Sequence, residues 1–206
     1  MIRSLLTAAV LISAGSPGRA PAHAQQHPRA TAVLAGGCYW GVESVYRHVR
    51  GIVSVTSGYA APADGPRVEA VRIVYDPSVV TYRRILDVFF LVVHDPTQLD
   101  RQGPDVGPEY RSVVFAGDGD QRRTVQAYVH SLGAARVFTR PIVTQVAALR
   151  SFEAVDASQQ NYAARHPADP YIVQNDAPKI EALRLRFPDL YVAESGRVRT
   201  GATVRH

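Results

Sequence analysis

The chain of 206 residues has a single cysteine, Cys38, so it cannot close a disulfide within itself or offer a cysteine-pair metal site. Its seven histidines are dispersed and no H-E-x-x-H run occurs, so no metal is expected. There is no glycine-rich phosphate loop and no G-x-S-x-G elbow for a serine nucleophile. Charge is modest, 23 Lys+Arg against 18 Asp+Glu. The arginines are scattered except for Arg184, Arg186, Arg197, Arg199 and Arg205 near the C-terminus, and no nucleic-acid footprint is visible. After the N-terminal leader, no apolar run is long enough to span a bilayer.

The leader occupies residues 1–24. Arg3 gives a positive start, Leu5 to Ala14 is an apolar stretch of signal-peptide length, and Ala22-His23-Ala24 is a small-x-small cleavage site. Cleavage is expected between Ala24 and Gln25. Removing Arg3 and Arg19 then leaves 21 basic against 18 acidic residues, net +3. The mature chain of roughly 180 residues has room for one domain with its own core. Residues 25–30 read as a flexible lead-in, 31–190 as the domain and 191–206 as a polar tail. Export, with the bacterial periplasm as destination, puts the lone cysteine in an oxidising compartment.

The most informative stretch is Thr31 to Glu43, T-A-V-L-A-G-G-C-Y-W-G-V-E. Ala32 to Ala35 has strand length, Gly36-Gly37 allows a tight turn, and a helical pattern follows. Cys38 is therefore expected at a strand-to-helix turn, where free N–H groups and the helix dipole favour an anion and depress a thiol pKa. The alternative is a small buried core residue.

Strands are expected at 31–35, 52–58, 67–75, 112–116 and 142–147. Helices are expected at 39–49, 82–93, 120–132, 156–165 and 178–187. Tyr59 to Pro66 reads as a loop. The order β-α-β-β-α-β over residues 31–116 predicts an α+β, two-layer, ferredoxin-like split βαβ core, extended by further helices and a loop-rich C-terminal region. On the third strand Glu69 shares a face with Val71, Ile73 and Tyr75. It is either desolvated there, which raises its pKa toward a proton-donating range, or close enough to the strand end to reach water. A long loop from His94 to Tyr110 concentrates Asp105, Glu109, Tyr110 and Arg111, and loops of that length are usually functional. His94 is open to two readings, the base of a Cys/His peptidase or a ring that orders the loop.

Several blocks resemble one family in register: G-C-Y-W-G-V-E at 37–43, S-G-Y at 57–59, E-A-V-R-I-V-Y-D-P at 69–77, H-D-P-T at 94–97, R-Q-G-P-D at 101–105, E-Y-R-S at 109–112, Q-Q-N-Y at 159–162 and Y-I-V-Q-N-D-A-P-K at 171–179. They are similar to the motifs of the peptide methionine sulfoxide reductase A family. The resemblance implies reduction of the S epimer of methionine sulfoxide, protein-bound or free. Cys38 would attack the sulfoxide sulfur and become a sulfenic acid, and Glu69 would protonate the departing oxygen. Tyr110 and Asp105 would hold the oxygen and the acid, and Tyr39 and Trp40 would form the methyl pocket.

Three departures stand out. Tyr39 replaces the usual phenylalanine, so its hydroxyl needs a partner. The segment after Tyr59 is short and lacks a further tyrosine that many members carry. No resolving cysteine is present, so an external thiol (thioredoxin-like, glutaredoxin-like or small) must reduce the sulfenate, with no bound cofactor. A monomer that repairs oxidised exported proteins, free of the membrane after leader cleavage, is the expected form. The rival is a methionine-sulfoxide-binding module with weak turnover.

Overall fold

The computed structural model describes residues 28–193 and the backbone of 199–200. The predicted leader and most of the tail lie outside the described residues. In chain order the elements are β1 (Ala30–Ala35), α1 (Tyr39–Arg47), β2 (Ile52–Pro62), β3 (Val68–Tyr75) and α2 (Tyr82–Val88), which passes into a π-helical turn at Phe89–Val93. Then come β4 (Arg101–Gln102), β5 (Asp105–Val106), a 3-10 turn at Pro108–Tyr110, β6 (Val113–Phe115), α3 (Gly119–Ala134), β7 (Gln145–Ala147) and β8 (Leu149–Ala154). The chain continues through α4 (Tyr162–Arg165), a second π turn at Ile172–Asp176, α5 (Ala177–Arg186) and β9 (Arg199–Thr200).

The main sheet runs β7-β6-β1-β3-β2-β8, with β9 also on β2. The pairs from β6 through β2 to β8 are antiparallel, and β7 lies parallel to β6. β1 and β3 are central and covered on both faces, hence their near-continuous apolar sequence. Ala32, Leu34, Val71 and Ile73 face the helical layer, where Val42, Val45 and Tyr46 of α1, Ile85 and Leu86 of α2, Val125 and Tyr128 of α3, and Leu183 of α5 pack. Val33, Ala35, Val68 and Ala70 form a smaller core on the other face. Ala147 from β7 and Phe152 from β8 both reach that second core, so the sheet curls over its own back. The architecture is a mixed helix-and-sheet fold with a curled β-sheet.

Four stretches depart from the sequence expectations. β2 continues through Tyr59 to Pro62 instead of opening into a loop, because β8 pairs with that extension. Pro62 is tolerated at the strand end, where the register slips between Ala61 and Pro62. β8 itself, Leu149–Ala154, was not expected; it is an edge strand with mostly exposed side chains and so shows no apolar alternation. The helix expected over 156–165 shrinks to Tyr162–Arg165, since the Gln160 side chain bonds the backbone of Ser57 and Val155 and holds the preceding residues in turns against β2. The loop before Tyr110 carries the small β4-β5 hairpin. Asp95 anchors it, accepting from Thr97 N–H, Thr97 Oγ1 and Gln98 Nε2.

Candidate active site

Cys38 is the N-cap of α1, at the end of the turn from β1. Gly37 holds φ +91°, and a Cβ there would come within 2.6 Å of Gln102, so only glycine lets the hairpin loop close down beside the cysteine. That closure changes the chemistry. The Cys38 thiol is pushed up to about 12, first by burial and then by the negative charge of Glu69. The Trp40 N–H and the Tyr171 hydroxyl pull the other way, as expected at a helix start, but they do not win. The sequence expectation of a depressed thiol pKa is thereby corrected: desolvation exceeds the helix-start contribution, and the resting sulfur is protonated.

Glu69 projects from β3, directly opposite Tyr59 on β2, and is 8% exposed. Its Oε2 accepts the Tyr39 N–H at 3.0 Å, which locks the carboxyl against the first residue of α1. Burial lifts its pKa to about 7, with the negative charges of Asp105 and Glu109 adding to the rise. Glu69 lies close enough to Cys38 for its charge to raise the thiol pKa, second only to burial. Of the two sequence readings, the desolvated acid is the one this environment supports.

The loop brings its residues to the same place. Tyr110 keeps its proton, its pKa raised to about 12 by burial and then by Glu69 and Asp105. Asp105 accepts from the Tyr171 hydroxyl at 2.5 Å. A cavity of about 70 Å3 opens over Cys38, lined by Gln102, Asp105, Tyr171, Asn175 and Lys179 among others. A larger cavity of about 550 Å3, between α3 and the segment 136–142, shares no lining residue with it and carries no nucleophile. Among the described residues no cluster of ligating side chains could hold a metal.

An aromatic wall completes the site. Trp40 stacks on Tyr162 at 4.0 Å between ring centres, with 12° between planes, and meets Tyr39 and Tyr171 edge-on. Its indole N–H donates to Gln159 Oε1 at 3.2 Å. Tyr39 meets Tyr59 edge-on at 6.1 Å between ring centres, which sets the extra phenol at position 39 beside a second one. Tyr59 thus places a phenol beside Glu69 although the following segment is short. Glu43 ties this wall to the sheet: its Oε2 accepts from Ser57 Oγ at 2.7 Å and from the Asn161 N–H at 2.9 Å.

All six residues singled out in the sequence therefore converge, Cys38, Tyr39, Trp40, Glu69, Asp105 and Tyr110. Tyr59, Tyr162 and Tyr171 join them without having been assigned roles. All three lie inside the blocks quoted above, but only the tertiary fold brings them to Tyr39, Trp40 and Cys38. His94 stands apart. Its Nδ1 pairs with Phe89 O at 2.9 Å and its Nε2 with Ser112 Oγ at 2.7 Å, and burial lowers its pKa to about 4. Both nitrogens are engaged by the scaffold, so His94 orders the loop and is not a base for Cys38.

Comparison with known proteins gives consistent results. The family model for peptide methionine sulfoxide reductase matches residues 30–189. A peptide methionine sulfoxide reductase, MsrA 2, of Mesorhizobium japonicum is 42% identical over 173 residues, which is 78% of this chain and 89% of that protein. The crystal structure of Mxr1 from Saccharomyces cerevisiae in reduced form is similar at a TM-score of 0.62 and 27% identity, covering 70% of this chain and 91% of that one. The same yeast protein in complex with Trx2 is similar at a TM-score of 0.50 and 27% identity, covering 68% and 91%.

Proposed function

The chain belongs to the peptide methionine sulfoxide reductase A family, and from that premise we propose that it reduces the S epimer of methionine sulfoxide to methionine through Cys38. The observation that carries the reading is a buried carboxyl of near-neutral pKa held against the first residue of α1, next to the Cys38 N-cap and an aromatic wall. Trp40 and Tyr39 receive the S-methyl group. The sulfoxide oxygen points toward Glu69, with the phenols of Tyr110 and Tyr59 as donors. Tyr171 and Asp105 keep the far side of the cavity fixed.

The step balances without an added proton. The Cys38 sulfur bonds to the sulfoxide sulfur, Glu69 gives its proton to the oxygen, and the thiol proton replaces it on Glu69. Transfer of the oxygen to Cys38 releases methionine and leaves Cys38 as a sulfenic acid. A protonated resting thiol suits this cycle, because it stores the proton that the oxygen requires. The chain holds no second cysteine, so an external dithiol returns Cys38 to its thiol and leaves as a disulfide, with water as the other product. The yeast relative seen with Trx2 supports a thioredoxin-like protein in that role.

The leader supports export to an oxidising compartment and repair of proteins there. The strand order β6-β1-β3-β2, with α1 and α2 as crossovers, supports reading the core as a ferredoxin-like split βαβ unit. The short segment after Tyr59 and the lack of a second cysteine favour one competing reading, a binding module with little turnover. Turnover of an S-sulfoxide peptide with dithiothreitol, abolished in Cys38→Ser, is the expected result. Binding of the peptide without turnover would establish the module instead.

A further inference from the structure

Gly41 is the third residue of α1, and glycine disfavours a helix interior. The structure gives the reason for it. A Cβ at Gly41 would overlap Asp176 Oδ1 and come within 2.6 Å of Lys179 Nζ. Asp176 is 1% exposed and Lys179 21%, with Nζ 3.1 Å from Asp176 Oδ1. An ion pair thus stands in the space of a missing side chain, one turn along the helix from Cys38. Lys179 is the only lysine in the chain, and every other strong cation is an arginine. A compact ammonium fits against Gly41 where a planar guanidinium has no room.

The same lysine lines the Cys38 cavity. The other ionisable groups around that sulfur are acids and phenols. They are Glu69 from β3, Asp105 from β5, Glu109 and Tyr110 from the 3-10 turn, Tyr39 from α1, Tyr59 from β2, and Tyr171 and Asp176 beside the second π turn. Among the described residues lining the cavity, Lys179 alone carries positive charge.

We propose that Lys179, seated on Gly41 by Asp176, is the positioning cation of the Cys38 cavity, offsetting the negative charge that the sulfur takes on as thiolate and as sulfenate. This rests on Cys38 being the reacting sulfur and not on the identity of the oxidised substrate. A single cation across a small, poorly solvated cavity acts with little screening.

The test is alkylation of Cys38 as a function of pH, with neutral iodoacetamide and anionic iodoacetate. Lys179→Met is expected to slow iodoacetamide by roughly tenfold below the thiol pKa, because a thiol pKa higher by about one leaves a tenth of the thiolate. It is also expected to slow iodoacetate further, since that reagent loses an attraction. Gly41→Ala, which leaves Lys179 in the chain but displaces it, is expected to move the profile in the same direction. Folded variants of both kinds with unchanged profiles and an unchanged ratio of the two reagents would overturn the proposal.

Should Lys179→Met fail to fold, acetylation of the folded wild type gives the same readout. Lys179 and the N-terminal amine are its only amine targets, and acetylation of the terminus alone at about pH 6.5, where the lysine stays protonated, controls for the terminus. Loss of the iodoacetate preference on acetylation supports the proposal, and its retention refutes it. Absence of sulfoxide turnover alongside a displaced alkylation profile would count against the reductase reading alone.

Discussion

Glu69 couples chemistry to stability through one proton. Its pKa is about 7 in the fold against an ordinary 4.5, so the folded state holds the proton more tightly. That stabilisation is fully present below pH 4.5 and is lost as pH rises through 7, a change of roughly 3 kcal/mol. Glu69→Gln is expected to be more stable than wild type at pH 8 by up to that amount, read from urea midpoints. The same substitution is expected to lower kcat/KM by about 100-fold or more, because the proton donor is gone. In wild type, kcat/KM should fall as pH rises above 7. A flat profile to pH 9 would remove Glu69 as the acid.

His94 slopes the other way. It stays neutral in the fold down to about pH 4, whereas an unfolded histidine takes a proton near 6.5, so stability is lost as pH falls between those values. The two residues therefore nearly cancel between pH 4.5 and 6.5, and Glu69→Gln is expected to expose the acid-side slope of His94. The G-G-C turn and the β3 alternation left Cys38 and Glu69 each open between a reactive and a structural reading, and the family resemblance singled them out. The direction in which the Cys38 pKa moves was not legible, because it depends on burial and on the charge of Glu69, which only the fold brings to the sulfur.

The element that fixes the site is α1 together with the segment 155–162. Glu43 joins them, and Gln160 bonds Ser57 in both directions through its amide. Glu43→Ala leaves the Ser57 hydroxyl and the Asn161 N–H unpaired in the interior, an expected loss of about 2–4 kcal/mol in unfolding free energy. Trp40 is the only tryptophan, so fluorescence reports this segment alone. A shifted emission in a folded Glu43→Ala protein would show Tyr162 and Gln159 leaving the indole, and unchanged emission would deny the link. The apolar periods of β1, α1, β3 and α2 made these elements readable. β8 and the pinned segment 155–161 were hidden because edge exposure and side-chain-to-backbone bonds leave no period to detect.

At the scale of the molecule, one cysteine sets the stoichiometry. Reduced enzyme given excess S-sulfoxide and no thiol is expected to form one methionine per chain and to leave Cys38 trappable by dimedone. Two or more per chain would contradict the single-cysteine cycle. Expression in a periplasm is expected to yield a protein beginning at Gln25, read by intact mass. The expected domain, residues 31–190, was drawn from motifs spread along the chain. The curl of the sheet was not, since it depends on Ala147 and Phe152 meeting over one core from opposite edges.

The cavity over Cys38 is about 70 Å3, far smaller than the cavity of about 550 Å3 beside α3. In the proposed cycle, a sulfenate formed there would wait behind a doorway that a protein dithiol must approach from outside but that hydrogen peroxide can enter. That cycle would make each turnover a race between rescue by a thiol and a second oxidation to sulfinic acid, which the thiol does not reverse. Working life would then be counted in turnovers survived, and the oxidant that creates the substrates would also end the enzyme's service.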